Sequence, residues 1–81
     1  MNFELTIIAP TSTKVVFVHW LDIKTSSGSM IICQGHAPLI ASLQPKSTLV
    51  FKDALDVIET MTVEHGIVTV ERSRVVLIVS E

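Results

Sequence analysis

The chain has 81 residues, of which 48% are apolar and 17% charged, and its net charge is −2. This composition excludes a disordered chain, and the length excludes a two-domain enzyme. A chain of this size buries only about 60% of the surface that its unfolded form exposes. We therefore expect some apolar area to remain outside the core, where a partner protein covers it.

The first half of the sequence predicts short strands separated by turns. Phe3, Leu5 and Ile7 alternate with polar residues, which indicates a strand with one apolar face. β-branched and aromatic residues favour a second strand, and Gly28 suits a turn because it can adopt a positive φ. In chain order we predict a strand at 3–7, a break at 10–13, a strand at 15–23, a turn at 24–29 and a strand buried on both faces at 30–33.

The second half continues the same pattern. We predict a strand at 49–51, a bent strand at 55–63, a turn or bulge at 64–66, a strand at 67–70, a turn at 71–73 and a strand at 75–79. Residues 37–44 could begin a helix at Pro38, but Pro45 follows closely and the run is too short for a stable helix, so we predict an extended segment. Regularly spaced short strands predict one all-β domain over residues 1–81, a sandwich or a barrel.

Charge and cysteine content restrict the possible partners and location. The only basic cluster is Arg72 with Arg74, so we expect no nucleic-acid partner. The single cysteine, Cys33, cannot form an intrachain disulfide, which favours a reducing, cytoplasm-like location. The longest apolar run, residues 75–79, is far shorter than the ~18 residues of a membrane helix, so we expect no direct membrane insertion.

Two clusters could carry chemistry. Cys33 and His36 could act as nucleophile and base, but their spacing is unspecific, and a cysteine that ends an apolar strand usually acts as a small hydrophobic residue. A metal site could use these two with His19 and His65, but no second close pair of ligands follows Cys33-x-x-His36. The interpretation that we favour is three unrelated histidines and an unreactive cysteine.

Neither a cofactor site nor a catalytic carboxylate is predicted. The three glycines are far apart and form no phosphate-binding loop. The acidic side chains between residues 53 and 64 are best explained as the solvated side of strands. The aromatic side chains are predicted to lie in the core, namely Phe3, Phe17, Trp20 and Phe51.

The segment 35–45 carries the most information. It is apolar and uncharged, and prolines interrupt it. A strand entered through a rigid turn explains this composition, and so does a surface of small uncharged residues in close contact with another protein. Composition alone leaves these two interpretations about equal.

At this segment the chain resembles the N-terminal β-sandwich domain of the epsilon subunit of F-type ATP synthases, called delta in mitochondria. The family's Gly-His-Ala-Pro-Leu signature is intact at residues 35–39, and Ala41, Leu43 and Pro45 follow it as in the family. The resemblance extends over nearly the whole chain, with Val63 and Gly66 and the closing strand in matching positions. The signature is fairly specific, whereas the other matches are a compatible β pattern.

The resemblance implies a flattened sandwich of two mostly antiparallel sheets, in a non-catalytic subunit of the central stalk. It implies a gamma-subunit contact through His36, Ala37, Pro38 and Ala41, and a contact with the ring of c subunits through Ser29 and Met30. It implies a peripheral place on the cytoplasmic side of the bacterial inner membrane and no cofactor. Ser29 stands where the family often has an acidic residue, so this contact is expected to differ in strength.

Two further expectations accompany the resemblance. Family members commonly continue into a two-helix C-terminal domain that restrains ATP hydrolysis. The sequence to residue 81 does not contain these helices, so we expect this chain alone not to inhibit ATP hydrolysis. The alternatives to a stalk subunit are a free-standing β-sandwich that binds a peptide or small ligand, and a small hydrolase using Cys33 and His36.

Overall fold

The computed structural model describes residues 2–80, and these residues form strands and turns without any helix. No segment of this part of the chain is therefore a candidate for a membrane-spanning helix. The strands are β1 (Phe3–Ala9), β2 (Ser12–Thr25), β3 (Gly28–Cys33), β4 (Leu39–Ser42), β5 (Ser47–Asp53), β6 (Ile58–Val63), β7 (His65–Val70) and β8 (Arg74–Ser80).

The long strand β2 belongs to two layers. Its first half pairs with β1, and its second half pairs with β3 and β5. The register shifts between Val18 and Trp20, and such a bulge bends a strand. We call β4, β7, β8, β1 and the first half of β2 the first layer. The second layer consists of β3, the second half of β2, β5 and β6.

A single core lies between the two layers. Alternate residues of each strand point inwards, so Leu5, Leu77 and Val68 of the first layer share one cluster with Leu21 and Ile32 of the second. All five are at most 1% exposed, and burying such a side chain stabilises the fold by about 1.5–3 kcal/mol before entropy is counted. The molecule measures 29 × 25 × 17 Å, as expected of two thin layers.

The predicted fold class is confirmed. The chain is an all-β sandwich, and only the pair β1–β8 runs parallel among the strand pairs of residues 2–80. The prediction of an extended segment rather than a helix at 37–44 is also confirmed. Strand β4 occupies its centre, and Leu43 forms an isolated bridge with Thr25.

Two predictions about burial are wrong. Residues 30–33 are buried on one face only, because in a two-layer sandwich only one face of each layer meets the core; the other face of β3 turns to solvent, where Ile31 is 60% exposed. Phe17 is not a core residue: it points outwards between the inward-facing Val16 and Val18 and is 52% exposed. Phe3 and Phe51 are buried as predicted, and Trp20 is half-buried.

Several element boundaries also differ from prediction. Strand β2 begins at Ser12, within the predicted break, and the turn predicted at 24–29 is confined to residues 26–27, because backbone pairing of β2 with β1 and with β3 extends that far. Leu55 lies in a turn, and β6 begins only at Ile58, because the Asp53 carboxylate accepts hydrogen bonds from the backbone N–H groups of Leu55 and Val57 and closes a turn there. His65 and Gly66 belong to β7 rather than to a turn, since their strand pairs with the end of β8.

Candidate functional site

The outward side of the first layer is an apolar surface, which we call the first outer face. Its central side chains are uncharged, and Glu4 and Arg74 lie at one end of it. The face consists of Ile40 from β4, Ile67 and Thr69 from β7, Val76 and Ile78 from β8, Thr6 and Ile8 from β1, and Val15 and Phe17 from β2.

The strand register makes this surface continuous. Ile67 of β7 is paired with Ile78 of β8, which is paired with Ile8 of β1, so three isoleucines form one row across three strands. The adjacent row contains threonine and apolar side chains and ends at Val15. A contiguous exposed apolar area of this kind usually marks a site of contact with another protein.

The outward side of the second layer, the second outer face, has a different composition. Charged side chains lie within its central rows, since Asp22 of β2 is paired with both Ile31 and Val50, and Trp20 is paired with Lys52. The face consists of Ile31 and Cys33 from β3, Trp20, Asp22 and Lys24 from β2, Val50 and Lys52 from β5, and Ile58 and Thr60 from β6.

The signature Gly-His-Ala-Pro-Leu forms the turn that leads into β4, the edge strand of the first layer. Gly35 has a φ of 82°, in the left-handed region that glycine adopts without a steric penalty. The backbone N–H of His36 donates to the carbonyl of Cys33 at 3.1 Å, which closes the turn. His36 is half-buried, whereas Ala37 and Pro38 are exposed where the chain enters β4.

Ala41 lies on the opposite side of β4 from the first outer face. It pairs with the buried Val68 and packs against the core, whereas Ile40 and Ser42 point outwards. His36, Ala37 and Pro38 are thus consecutive residues of the segment that leads into β4, whereas Ala41 lies on the inner side of that strand.

The residues predicted to contact the c-ring begin β3, directly after the β2–β3 turn. Ser29 is exposed, and Met30 is half-buried against the core. The hydroxyl of Thr25 orders this turn, because it donates to the carbonyl of Gly28 at 2.9 Å and accepts from the N–H of Ser27 at 3.1 Å.

Backbone hydrogen bonds tie the β2–β3 turn to the end of β4. The N–H of Ser26 donates to the carbonyl of Ser42 at 3.2 Å, and the N–H of Gln44 donates to the carbonyl of Lys24 at 2.8 Å. The turn and the signature strand therefore form one connected unit.

The alternative chemical sites are not assembled. No hydrogen bond joins the side chains of Cys33 and His36, and the ring Nδ1 of His36 instead lies 2.8 Å from the carbonyl oxygen of Ala37. Cys33 is exposed on the second outer face rather than packed as a small hydrophobic residue. His19 lies beside Asp56, with 3.3 Å between Nε2 and Oδ1, and residues 2–80 contain no group of three or more potential ligands for a metal ion.

The surface of the described residues includes depressions at the edges of the two layers. A cleft of about 250 Å³ lies between the layers, where Lys14 and Glu59 form an ion pair above Phe51. A wider, open depression of about 540 Å³ lies at the end of the first outer face next to the β2–β3 turn, and its lining includes Ile67 and Ile78. This shallow depression continues the apolar face beyond Ile67 and Ile78.

Sequence reasoning missed the outward isoleucines of the first layer. A signal for them exists, because residues 75–79 are apolar without interruption, although only alternate residues of a strand at the surface of a small sandwich can reach the core. An unbroken apolar run in such a strand therefore indicates an apolar outer face.

These features define a class of domain, an all-β sandwich with one apolar, largely uncharged outer face beside a glycine-initiated turn. The model of the family "ATP synthase, Delta/Epsilon chain, beta-sandwich domain" matches residues 2–81. The chain belongs to this family. No curated protein sequence matches it significantly.

Solved structures have the same fold. A chain of the Euglena gracilis mitochondrial ATP synthase structure (OSCP/F1/c-ring, rotational state 1) is similar with a TM-score of 0.90 and 20% identity, over 99% of this chain. A chain of the Tetrahymena thermophila mitochondrial ATP synthase structure (central stalk/c-ring) is similar with a TM-score of 0.81 and 18% identity, over 96%. The present chain spans 51% and 63% of the lengths of those two chains.

Proposed function

We propose that this chain is a non-catalytic central-stalk subunit of an F-type ATP synthase, which links the gamma subunit to the c-ring during proton-driven ATP synthesis. Its place would be peripheral to the membrane, on the cytoplasmic side of a bacterial inner membrane. Membership of the delta/epsilon family supports this proposal, as does the likeness to chains from ATP synthase structures described as containing a central stalk or c-ring. The observation that carries it is the charge-free apolar centre of the first outer face.

The gamma contact would use the first outer face together with the signature turn. His36, Ala37 and Pro38 would lie against gamma at the edge of this face. Ala41 would affect this contact indirectly. Its small side chain faces the core, and a larger one there would displace β4 outwards. A contact made by apolar side chains on a stiff sheet can be closely packed, and packing at the centre of an interface determines most of its strength.

The c-ring contact would use Ser29 and Met30 at the start of β3. The serine hydroxyl can donate or accept a hydrogen bond but carries no charge, so among these residues only the neighbouring Lys24, which is paired with Ser29, would make the contact sensitive to ionic strength. The hydrogen bonds from Ser26 to Ser42 and from Gln44 to Lys24 would connect the ring-facing turn with the gamma-facing strand.

This connection supports a mechanical role. A subunit that joins a rotating ring to a shaft must resist deformation when torque acts between its two contacts. Densely packed protein interiors have low compressibility and transmit strain, and backbone hydrogen bonds here link the two surfaces directly. The sandwich would therefore pass a displacement of the turn to β4 without a flexible joint between them.

The test is a binding measurement with two matched variants. Ile78 and Ile31 have similar exposure, 55% and 60%, but lie on the first and second outer faces respectively. We expect Ile78→Asp to weaken binding to the purified gamma subunit by roughly tenfold or more, because it places a charge in the centre of an apolar contact. We expect Ile31→Asp to change the affinity by less than about twofold, as for a residue outside an interface.

A pull-down from native membranes completes the test. Recovery of gamma and c-ring subunits with the wild-type chain is the expected result. Recovery of neither would contradict the proposal and favour the free-standing binding module. Equal loss of gamma binding in Ile78→Asp and Ile31→Asp would contradict the assignment of the first outer face.

A further inference from the structure

The ring of His36 lies within hydrogen-bonding distance of the backbone of the signature turn. The positive φ of Gly35 and the bond from the His36 N–H to the Cys33 carbonyl set the backbone of this turn. The ring Nδ1 lies 2.8 Å from the carbonyl oxygen of Ala37, a hydrogen-bond distance. The imidazole is thus tied to the backbone of the next residue.

This contact determines which ring nitrogen carries the proton. A backbone carbonyl oxygen can only accept a hydrogen bond, so Nδ1 must be the donor. In a neutral imidazole the other nitrogen, Nε2, then has a lone pair and no hydrogen. Within residues 2–80, no group forms a hydrogen bond with Nε2 of His36.

We propose that His36 is a specificity-determining residue that offers Nε2 as a hydrogen-bond acceptor to an N–H or O–H donor of the partner. Pro38 has no N–H and Ala37 has no polar side-chain atom, so within residues 36–38 the imidazole supplies the polar side-chain group; the other polar side chain of this turn, the exposed Gln34, lies before Gly35. The inference rests on the proposed function, in which the gamma subunit covers the turn. It adds the chemistry of the recognised group, which is a donor such as a backbone amide, a hydroxyl or a basic side chain.

The arrangement also selects against some partner groups. A carbonyl or carboxylate oxygen at the same place would meet the Nε2 lone pair, and neither group has a hydrogen to share. Such a partner could bind only after the ring gained a second proton or gave up its bond to Ala37. Uncompensated burial of the acceptor would weaken the complex.

The first experiment reads the tautomer in the free chain. Nitrogen-15 NMR of the histidine-labelled protein at a pH where the rings are neutral distinguishes a protonated from an unprotonated ring nitrogen. The His36→Gln variant identifies the His36 signals by their disappearance. We expect Nδ1 to carry the hydrogen. A hydrogen on Nε2 would overturn the inference whether or not gamma binds.

The second experiment measures gamma binding. His36→Phe keeps the ring but removes both nitrogens, and we expect it to weaken binding about fivefold to tenfold, the effect of one lost hydrogen bond. His36→Gln can place an amide oxygen near the position of Nε2, and we expect it to recover part of that loss. Thermal unfolding of both variants checks that the fold is kept.

The outcomes separate the two proposals. Wild-type affinity in His36→Phe would overturn the acceptor role while leaving the stalk function intact. Failure of the wild-type chain to bind gamma would overturn the stalk function and the partner assigned to Nε2. A stronger defect in His36→Gln than in His36→Phe would also overturn the acceptor role.

Discussion

The two outer faces of the sandwich both cover one shared core but carry different side chains. Both layers turn alternate residues into one core, and both leave large apolar side chains outside. In the first face three isoleucines form one row across β7, β8 and β1, whereas in the second face Asp22 lies beside Ile31 and Val50. The inner pattern is set by folding, and the outer pattern is free to serve a partner.

The comparison shows that exposure alone does not identify a contact surface. Ile78 and Ile31 are nearly equally exposed, but Ile78 has isoleucine neighbours on both adjacent strands, and Ile31 faces a carboxylate on its one paired strand. Single exposed apolar side chains are common in soluble proteins, whereas contiguous ones are not. The register therefore supplies information that a list of exposed residues lacks.

The largest expected effect is the difference in stability between substitutions on the inner and the outer side of β8. Leu77 is fully buried and its neighbour Ile78 points outwards. We expect Leu77→Ala to lower the free energy of unfolding by about 2–5 kcal/mol, and Ile78→Ala by less than about 1 kcal/mol. Urea titration of the two variants measures the difference. Similar losses would mean that the first outer face contributes to the fold itself and would break the comparison.

The next largest effect on stability is expected at Gly66, where the inner side of the first layer leaves little room for a side chain. A methyl group added at Gly66 would lie 2.8 Å from Cδ1 of Leu43 and 3.1 Å from the carbonyl oxygen of Ile78. The leucine can shift, but the backbone carbonyl cannot, so we expect Gly66→Ala to cost about 1–3 kcal/mol of stability.

A double variant tests the cause of that loss. In Leu43→Ala with Gly66→Ala, the shortest of the three close contacts is removed, while those with the Ile78 carbonyl and with Cγ1 of Val79 remain, so we expect the combined loss to be smaller than the sum of the single losses. Strict additivity in urea titrations would show that Leu43 is not the group that resists the added methyl.

Threonine substitutions on the outer faces are expected to change stability little. Their larger effect is expected on self-association and on binding of an apolar dye. Threonine keeps the β-branched shape that strands favour, so we expect the pairs Ile8→Thr/Ile78→Thr and Ile31→Thr/Ile58→Thr each to change stability by less than about 1 kcal/mol. Because only the first pair interrupts a continuous apolar area, it should lower self-association and apolar-dye binding of the isolated chain more than the second pair. Equal reductions would contradict the distinction between the faces.

Much of the fold could be predicted from local patterns. The alternation of Phe3, Leu5 and Ile7 identified the inner side of β1, and the signature at 35–39 identified the family over nearly the whole chain. Alternation is informative here because polar residues mark the solvent side. Where both sides are apolar, as at 15–18, the pattern cannot show which side faces the core, and Phe17 was assigned to the wrong one.

The first outer face could be predicted only in part, for a different reason. Its central row combines residues from β7, β8 and β1, and their alignment depends on a parallel pairing between the first and last strands. That pairing joins residues about 70 positions apart, and no local motif reports it. The signature turn, by contrast, is continuous in sequence and was found directly.

The smallest expected effect concerns the connection between the two layers. Lys14 of β2 and Glu59 of β6 form an ion pair with 3.4 Å between Nζ and Oε1, across the cleft above Phe51, and both side chains are partly exposed. We expect Glu59→Gln to change the free energy of unfolding by no more than about 0.5 kcal/mol, and raising the salt concentration to remove most of that difference. Urea titrations of wild type and variant at low and high salt measure it. A loss of unfolding free energy above about 2 kcal/mol that salt does not reduce would mean that this ion pair holds the layers together. The two outer faces could then not be treated as independent surfaces on one packed core.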